Sequence, residues 1–366
     1  MIEISTKEDI IAKLESFDVL EYGRSRNFLD GNVSQISPFI SRGLISSKEI
    51  FDIILKKWTF KESQRFLQQV LWREYFYRVW EDVKDDIFTD LKKSQIDCKY
   101  FSIPDSVLGA STGIEVVDDA IKELYKEGYC HNHNRLYIAS LVSNIGKYHW
   151  LFPAKWMYYH LLDGDIASNM LSWQWVVGTR SVKKYFANQE NINHFSGTNQ
   201  QDTFLDKEYE DLLSQSEPLI LKEHYLFELK TILPEIDGTY FRDQEKVIVH
   251  NSYTLNPEIL KEEQGVKHLL LLEPDHYKKY PVSSKVLDFT IALAKNEFNE
   301  ILIQVDNYSN LKQVYPNTEF HYEEHITTEH YEGIRHQKNM ISEPNAPLSS
   351  FYKFWNYHLK IWKNKS

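Results

Sequence analysis

The pattern of apolar residues changes after about residue 235, and this change constrains the fold more than any other feature of the sequence. Before residue 200, apolar side chains recur at helical spacing, as in Lys61–Asp82 and Ile166–Val177. After residue 235 the chain has short runs rich in Ile, Val and Leu, and two stretches of helical character lie between and beside them. Strands that alternate with helices predict a small, mostly parallel sheet. The predicted strands are Lys246–His250, His268–Leu272 and Glu300–Val305, and the predicted helices beside them are Pro257–Glu263 and Ser283–Lys295.

This pattern predicts a mainly α-helical domain in residues 1–200 and a smaller α/β domain in residues 236–366. Residues 201–235, which are largely polar at their start, form a predicted linker and helical connection. A chain of 366 residues is long enough for two hydrophobic cores. Further predicted helices in the first domain begin after Ser46 or Ser47, run from Thr112-Gly113 to a C-cap at Gly128, and cover Asn134–Tyr148 and Ala154–Leu162.

The cysteine and tryptophan contents limit the cofactors. Two cysteines, Cys98 and Cys130, cannot form a disulfide framework, a four-cysteine metal site or an iron–sulfur cluster. Nine Trp residues in 366 are a surplus, which is typical of stacking surfaces or of a tightly packed helical core. We therefore expect no metal and no iron–sulfur cluster.

The charge distribution limits which partners the protein can bind, and the absence of long apolar runs limits where in the cell we expect it. The net charge of −11 argues against a generic nucleic-acid binder. The acidic residues are in excess mainly after residue 200, so the sequence is compatible with a local basic face in the helical domain. The N-terminal residues do not resemble a signal peptide, and no apolar run has the length of a membrane helix. We expect a cytoplasmic protein that does not contact a membrane.

The segment from Asp163 to Trp175 carries the most specific chemistry. Asp163 and Asp165 flank a glycine at the end of an apolar helix, and either could simply cap the next helix. Asn169 and Trp173 are one helical turn apart on the same face. A carboxamide beside an aromatic ring suits an aromatic heterocycle with hydrogen-bonding edges.

Three other segments carry weaker signals. His131 and His133 could form a metal pair, but residues two apart point to different sides of a helix. Arg135 is better interpreted as the ion-pair partner of Asp163 or Asp165. The loop from Gly31 to Pro38 offers hydroxyl and amide donors to a phosphate, although Ser37-Pro38 is also an ordinary helix start. The segment from Gln69 to Phe76, taken alone, is an amphipathic helix.

Together these segments resemble the FAD-binding domain of the DNA photolyase and cryptochrome family. The resemblance covers residues 20–190 in one unbroken order. It rests on Tyr22 and Arg26 and on the runs SQISPFISRGLIS, LWREYFY, STGIEVVDDAI, GYCHNHNR and LLDGDIASNMLSWQW. It implies a bound FAD that is reduced in the active form.

The resemblance also implies which residues contact FAD. Tyr22 and the loop Ser34, Gln35, Ile36 and Ser37 correspond to the pyrophosphate contacts. Phe66 and Arg73 correspond to pocket walls, and Asn132, Arg135, Asp163 and Asp165 to contacts with the flavin and ribitol. Asn169 matches the residue that faces flavin N5; related photoreceptors often have Asp or Cys there, so Asn169 favours repair.

Electron transfer and DNA contacts follow by the same correspondence. Trp173 and Trp150 match the first two tryptophans of the family's electron-transfer chain, and Tyr100 and Trp156 are candidates for the missing third. Trp72 and Trp175 match the aromatic wedge that receives a flipped pyrimidine dimer, with Gln69 and Asn132 beside it. The candidates for phosphate contacts are Arg26, His133, Arg180, Lys183 and Lys184.

The implied function is blue-light-driven repair of UV-induced pyrimidine dimers in DNA, including single-stranded DNA. The alternative is a cryptochrome-like photoreceptor with a signalling partner and no repair activity. Three positions leave the type of lesion undecided. Gln69 and Leu136 replace the Glu and the Met that cyclobutane-dimer enzymes usually have. The histidine pair of (6-4) enzymes is absent, because Asn132 and Leu136 occupy its positions. Family members generally carry an α/β antenna domain first. In this chain the runs VIVHNSYTLNPEIL and KHLLLLEPDHY resemble the opening strands of that antenna domain. This resemblance suggests a short, rearranged chain, and it leaves the antenna pigment unidentified.

Overall fold

The computed structural model describes residues 2–236 and 241–365, and the chain divides into two compact units. The α/β unit comprises Met1–Phe17, Ser34–Ser63 and Leu229–Asn345. The helical unit comprises Asp18–Val33, Gln64–Glu228 and Ala346–Ser366. Both units are discontinuous in sequence, whereas the sequence predicted consecutive ranges. Residues 237–240 of the predicted C-terminal domain lie outside the described residues.

The α/β unit contains a five-stranded sheet in which every neighbouring pair is parallel. Numbered along the chain within this sheet, the strands lie in the order 3-2-1-4-5. The chain adds strands on one side of the first strand and then on its other side, as in doubly wound α/β folds. In spatial order the strands are Ile301–Val305, Lys267–Leu272, Lys246–His250, Glu319–Glu323 and Ile334–His336. The register pairs Val249 with Leu269, Leu270 with Ile303, Val247 with Phe320 and His321 with Ile334.

The sheet confirms the predicted α/β character and the three predicted strands. The two further strands, Glu319–Glu323 and Ile334–His336, escape a search for apolar runs because they carry Glu, His and Arg. The helix predicted for Pro257–Glu263 is wrong. That segment forms turns, and Leu260 adopts a left-handed φ of 52°, which a right-handed helix excludes.

The helices of the α/β unit are short except for the one that connects the second and third strands. A hydrophobic cluster on the sheet includes Val247, Val249, Leu269, Leu271 and Phe320, all at most 1% exposed. Burial of this kind is typical of parallel strands that are covered by helices. The helices are Lys7–Ser16, Ser37–Ser41, Ser47–Lys57, Pro274–Lys279, Ser284–Glu297 and Tyr308–Val314, with a 3₁₀ turn at Ile326–Thr328.

Two buried cations attach N-terminal segments to the C-terminal sheet. Lys7 is 2% exposed, and its Nζ lies 2.5 Å from Glu49 Oε1 and 2.8 Å from Glu258 Oε1. Arg42 is 1% exposed, and its Nη1 donates to the carbonyl of Ser252 at 3.1 Å. Removing either set of partners would leave a buried charge uncompensated. These contacts tie the segments Met1–Phe17 and Ser34–Ser63 to the C-terminal part of the α/β unit.

The helical unit confirms the predicted mainly α-helical character. Glu115–Glu127 ends at Gly128 in the left-handed conformation, with φ 66°, as predicted. The predicted helix Asn134–Tyr148 instead ends as a π-helical segment, Ser140–Ile145, in which Asn144 Nδ2 donates to two backbone carbonyls. The helices are Val19–Ser25, Phe60–Val83 (shared with the other unit), Asp105–Leu108, Glu115–Glu127, Asn132–Ala139, Leu151–His160, Ile166–Val177, Gln189–Ser196, Tyr209–Ser214 and Phe351–Lys365.

Short irregular elements complete the helical unit. A two-stranded antiparallel ribbon joins Ile103–Pro104 to His224–Tyr225. The 3₁₀ turns lie at Lys84–Phe88 and Leu219–Leu221. None of the helices in the described ranges combines the length and the apolar character needed to cross a membrane.

Candidate cofactor site

A cavity of about 190 Å³ lies in the helical unit. Four helices contribute to its wall: Phe60–Val83, Asn132–Ala139, Leu151–His160 and Ile166–Val177. These helices and the loop before Ile166–Val177 bring together nine residues that the sequence proposed for the site. They are Gln69, Trp72, Arg73, Asn132, Arg135, Asp163, Asp165, Asn169 and Trp173.

Arg135 and Asp163 form an ion pair in the cavity wall. Arg135 Nη2 lies 2.9 Å from both carboxylate oxygens of Asp163, and its Nε donates to the carbonyl of Cys130 at 2.8 Å. The Asp163 side chain is only 6% exposed. Burial lowers the pKa of Arg135, but the charge and hydrogen bonds of Asp163 together with the neighbouring Cys130 and Tyr129 raise it above its ordinary value, so the guanidinium stays charged. The predicted pairing of Arg135 is therefore confirmed, with Asp163 as the partner.

Asp165 both caps a helix and lies near an arginine, the two kinds of interaction that the sequence left open for the aspartates. Its Oδ1 accepts from the backbone N–H of Ser168 at 2.7 Å, which caps the helix Ile166–Val177. Its Oδ2 lies 4.0 Å from Arg73 Nη1. The buried Ser168 hydroxyl has no hydrogen-bond partner within residues 2–236 and 241–365. A buried polar atom of this kind at a cavity wall is suited to a ligand.

Asn169 and Trp173 lie on the same face of the helix, one turn apart, and both line the cavity. Asn169 is 9% exposed, and its Nδ2 donates to the carbonyl of Ala154 at 2.8 Å. This bond orients the carboxamide before any ligand binds. Trp173 is 2% exposed, so its ring is held by packing.

Among the residues proposed for electron transfer beyond Trp173, Trp150 and Trp156 are buried in the helical unit, and Tyr100 is half-buried. Trp150 is fully buried, and its indole N–H donates to Asp90 Oδ1 at 2.7 Å. Trp156 donates to the hydroxyl of Tyr125 at 3.2 Å, whereas Tyr100 packs against Tyr148 with ring centroids 4.8 Å apart. The third member of the route stays a prediction.

The two histidines before Arg135 have local structural partners. His131 caps the helix by accepting from the backbone N–H of His133 at 3.2 Å. Burial lowers the pKa of His131 to about 4, and burial also lowers the pKa of His133 to about 4. Both rings are therefore neutral near pH 7. No group of three or more His, Cys, Asp or Glu side chains suited to a metal occurs in the described ranges.

Tyr22, Phe66 and Arg26 lie together in the helical unit. The rings of Tyr22 and Phe66 meet edge to face with centroids 5.2 Å apart. Burial raises the pKa of Tyr22, and the neighbouring Arg26 opposes that rise. The serine loop belongs to the α/β unit, where Gln35 has a left-handed φ of 53° and Ser37 begins the helix Ser37–Ser41. The pyrophosphate role of Ser34, Gln35, Ile36 and Ser37 stays a prediction.

The residues proposed for DNA contacts differ in whether they are exposed or already paired with another side chain. Trp175 is 42% exposed, and Lys183 is exposed. Lys184 forms an ion pair with Asp97. Arg180 Nη2 donates to the hydroxyl of Tyr75 at 3.1 Å.

Several cavity residues were not identified from the sequence. Ser172 is one turn from Ser168, so helical spacing from Asn169 and Trp173 could have found both. Met157 and Leu161 come from a neighbouring segment and carry no chemical signal of their own. Phe351, whose ring stacks on Trp72, lies far along the chain and had no detectable signal in the sequence.

The comparisons with known proteins agree on this part of the chain. The family model for the FAD binding domain of DNA photolyase matches residues 66–216. A deoxyribodipyrimidine photo-lyase of Streptomyces griseus is 30% identical over 149 residues, which are 40% of this chain and 32% of that protein. A cryptochrome DASH of Danio rerio is 29% identical over 172 residues, covering 44% of this chain and 32% of its own length.

Solved structures give a partial match. A bacterial class III photolyase from Agrobacterium tumefaciens has a TM-score of 0.47 and 23% identity, and covers 52% of this chain and 42% of its own. A cryptochrome of Synechocystis sp. has a TM-score of 0.48 and 20% identity, and the match covers 53% of this chain and 44% of that one.

The helical unit therefore contains an FAD-binding domain. Over residues 66–216 the chain matches this domain of DNA photolyase, and it is similar in sequence to proteins named as photolyases and as a cryptochrome. The chain spans about a third of the length of the curated relatives described above.

Proposed function

We propose that the protein binds FAD in this cavity and, with FAD reduced, uses blue light to repair UV-induced pyrimidine dimers in DNA, including single-stranded DNA. One observation carries the proposal. Gln69 and Trp72, which the family resemblance assigns to the lesion, line the same cavity as Asn169, Arg135 and Asp163, which it assigns to the flavin. A cofactor and a flipped base bound there would be neighbours.

The cavity wall suits a flavin. It offers two guanidinium groups, two carboxylates, three carboxamides and an unpartnered buried hydroxyl at Ser168, and it has apolar surface at Met157 and Leu161. Polar groups that converge on a pocket with apolar surface are typical of cofactor sites. Arg135 and Asp163 would hold the polar edge of the cofactor, and Arg73 with Asp165 would border it.

Reduced FAD, when bound, supplies under blue light the electron that splits the dimer and recovers it afterwards. Asn169 would place a neutral carboxamide against the cofactor and offer no acidic proton. Trp72 and Trp175 would stack on the flipped base, for which unpairing costs least at a lesion or in a single strand. Trp173 and Trp150 would carry electrons that reduce the cofactor.

Local cations make DNA binding compatible with a net charge of −11. Arg26, Arg180 and Lys183 are cations of the helical unit, whereas His133, whose ring is neutral near pH 7, would contribute only a neutral ring N–H. We propose a cytoplasmic location. We also propose that the α/β unit corresponds to a reduced antenna domain, since its strand order is that of a doubly wound fold.

A second candidate function is blue-light sensing without repair. Gln69 is the observation that favours it, because cyclobutane-dimer enzymes usually have Glu at the corresponding position. A sensor would change its affinity for a signalling partner on illumination.

Repair is tested with reduced protein and oligonucleotides that contain one thymine dimer or one (6-4) product. Blue light should restore intact thymines, and a dark sample is the control. A light-induced change in the flavin spectrum without thymine recovery would favour the sensor. Purified protein that contains no extractable flavin would contradict both candidates.

A further inference from the structure

The ring of Trp72 is covered by a residue from the C-terminal end of the described chain. Phe351, the first residue of the helix Phe351–Lys365, stacks on Trp72 with ring centroids 3.8 Å apart and an angle of 12° between the planes. Two rings at this distance are in van der Waals contact. A base therefore cannot stack on that face of Trp72 while Phe351 remains there.

Hydrogen bonds from three side chains hold the segment that precedes Phe351. Tyr75 donates from its hydroxyl to the carbonyl of Leu348 at 3.1 Å, and Arg180 Nη2 reaches the same oxygen at 3.5 Å. Lys92 Nζ donates to the carbonyl of Ser349 at 2.7 Å. Two of the three donors are cations whose acceptors here are neutral carbonyls.

These cations lie in a locally basic environment. Burial lowers the pKa of Lys92, and the like charges of Arg180 and Lys353 lower it further. The segment from Ala346 to Ser366 contains four Lys residues and no Asp or Glu. Phosphate oxygens form shorter and stronger hydrogen bonds with Lys and Arg than neutral carbonyls do. A phosphodiester strand would therefore compete for Lys92 and Arg180.

We propose that a base stacks on the face of Trp72 that Phe351 covers, and that a nucleic-acid strand displaces Phe351 from this face when its phosphates take over the donors of Lys92 and Arg180. This inference rests on the proposed function, in which Trp72 receives a base. Phe351 then determines which strands bind. A strand must supply both phosphates at the cations and a base that leaves its stack easily.

The test compares Phe351→Ala with Tyr352→Ala in the flavin-loaded full chain. Tyr352 is the next residue of the same helix and is 75% exposed, so its replacement controls for the loss of an aromatic ring. Dark binding of a single-stranded oligonucleotide with one thymine dimer should be about threefold to tenfold tighter for F351A than for the wild type, because no stack must be broken. Y352A should bind like the wild type.

Two further measurements address the fold and the displacement itself. F351L keeps an apolar side chain against Phe354 and Trp355 without an aromatic stack, and it should have intermediate affinity even if F351A loosens the helix. Hydrogen–deuterium exchange of residues 346–355 in the wild type should increase when the oligonucleotide binds.

The outcomes separate this inference from the proposed function. Wild-type protein that repairs dimers while F351A and F351L bind no more tightly, or more weakly, would overturn the inference and leave repair standing. Unchanged or decreased exchange of residues 346–355 on binding would also overturn it. If no variant binds the oligonucleotide and the wild type repairs nothing, both proposals fail.

Discussion

Arg135 Nη2 contacts both carboxylate oxygens of Asp163 at 2.9 Å, and this pair joins the helix Asn132–Ala139 to the loop before the helix Ile166–Val177. The charges neutralise each other in a largely buried place, yet both residues line the cavity. The pair thus serves the stability of the helical unit and the shape of its cofactor site together.

Replacement of Arg135 by Ala should destabilise the helical unit and remove FAD. The Asp163 carboxylate would be left buried without its cation, which typically costs about 3–5 kcal/mol. Flavin content after purification and the free energy of unfolding are the measurements. Arg24→Ala is the control, because its ion pair with Glu21 is exposed and should matter little. R135A with full flavin content would contradict the assigned role.

Replacement of Asn169 by Asp should impair repair more than flavin binding. A carboxylate cannot donate to the carbonyl of Ala154, and it places a negative charge at the cavity wall. The lost hydrogen bond should cost about 1–3 kcal/mol of stability. Thymine recovery per bound flavin is the measurement, with Asn199→Asp at an exposed position of the same unit as a control. Equal repair per flavin in N169D would count against the role of Asn169.

Replacement of Trp175 by Ala should weaken binding of a dimer-containing oligonucleotide by about 1–3 kcal/mol, the usual contribution of one stacked base. Its effect on stability should be within about 0.5 kcal/mol because the side chain is 42% exposed. Phe101→Ala is a suitable control, since Phe101 is 60% exposed and stacks on His149. Equal losses of affinity in both variants would show that Trp175 has no specific contact with the lesion.

The α/β unit should lose stability in mild acid through His250. Burial lowers the pKa of His250 to about 3, and the ring bonds to the carbonyl of Thr254 and to His268. Because the folded-state pKa lies below the unfolded value, the unfolded chain binds more protons between these values. Stability is therefore complete above about pH 6.5 and falls as the pH decreases, by about 2 kcal/mol at pH 5.

Unfolding at several pH values tests this expectation, and the slope of stability against pH is the readout. His250→Phe should decrease the slope between pH 6.5 and 4 even if its stability is lower at every pH, and burial of His276 and His325, which lowers the pKa of both, should account for the slope that remains. His224→Gln, at an exposed position in the helical unit, should leave the slope unchanged. A wild-type slope of zero over this range would exclude the proposed linkage.

Local signals in the sequence determined a large part of this protein. Period-2 and period-3.6 patterns are set by neighbouring residues, so the helix Ile166–Val177 and the strand Lys246–His250 could be predicted. Capping depends on side chains within a few positions, as for Asp165 and Gly128. The order of the motifs was enough to reveal the resemblance to the FAD-binding domain of photolyases and to nominate nine of the residues that line the cavity.

Tertiary structure decided which of these groups meet. Both Asp163 and Asp165 were available to Arg135, and packing placed Asp163 against it and Asp165 near Arg73. Phe351 meets Trp72 although nothing near either residue encodes the contact. The buried Lys7 binds its N-terminal helix to the C-terminal part of the chain. Such pairings depend on burying one whole core and on neutralising charges within it, and these requirements act between segments that are distant in sequence.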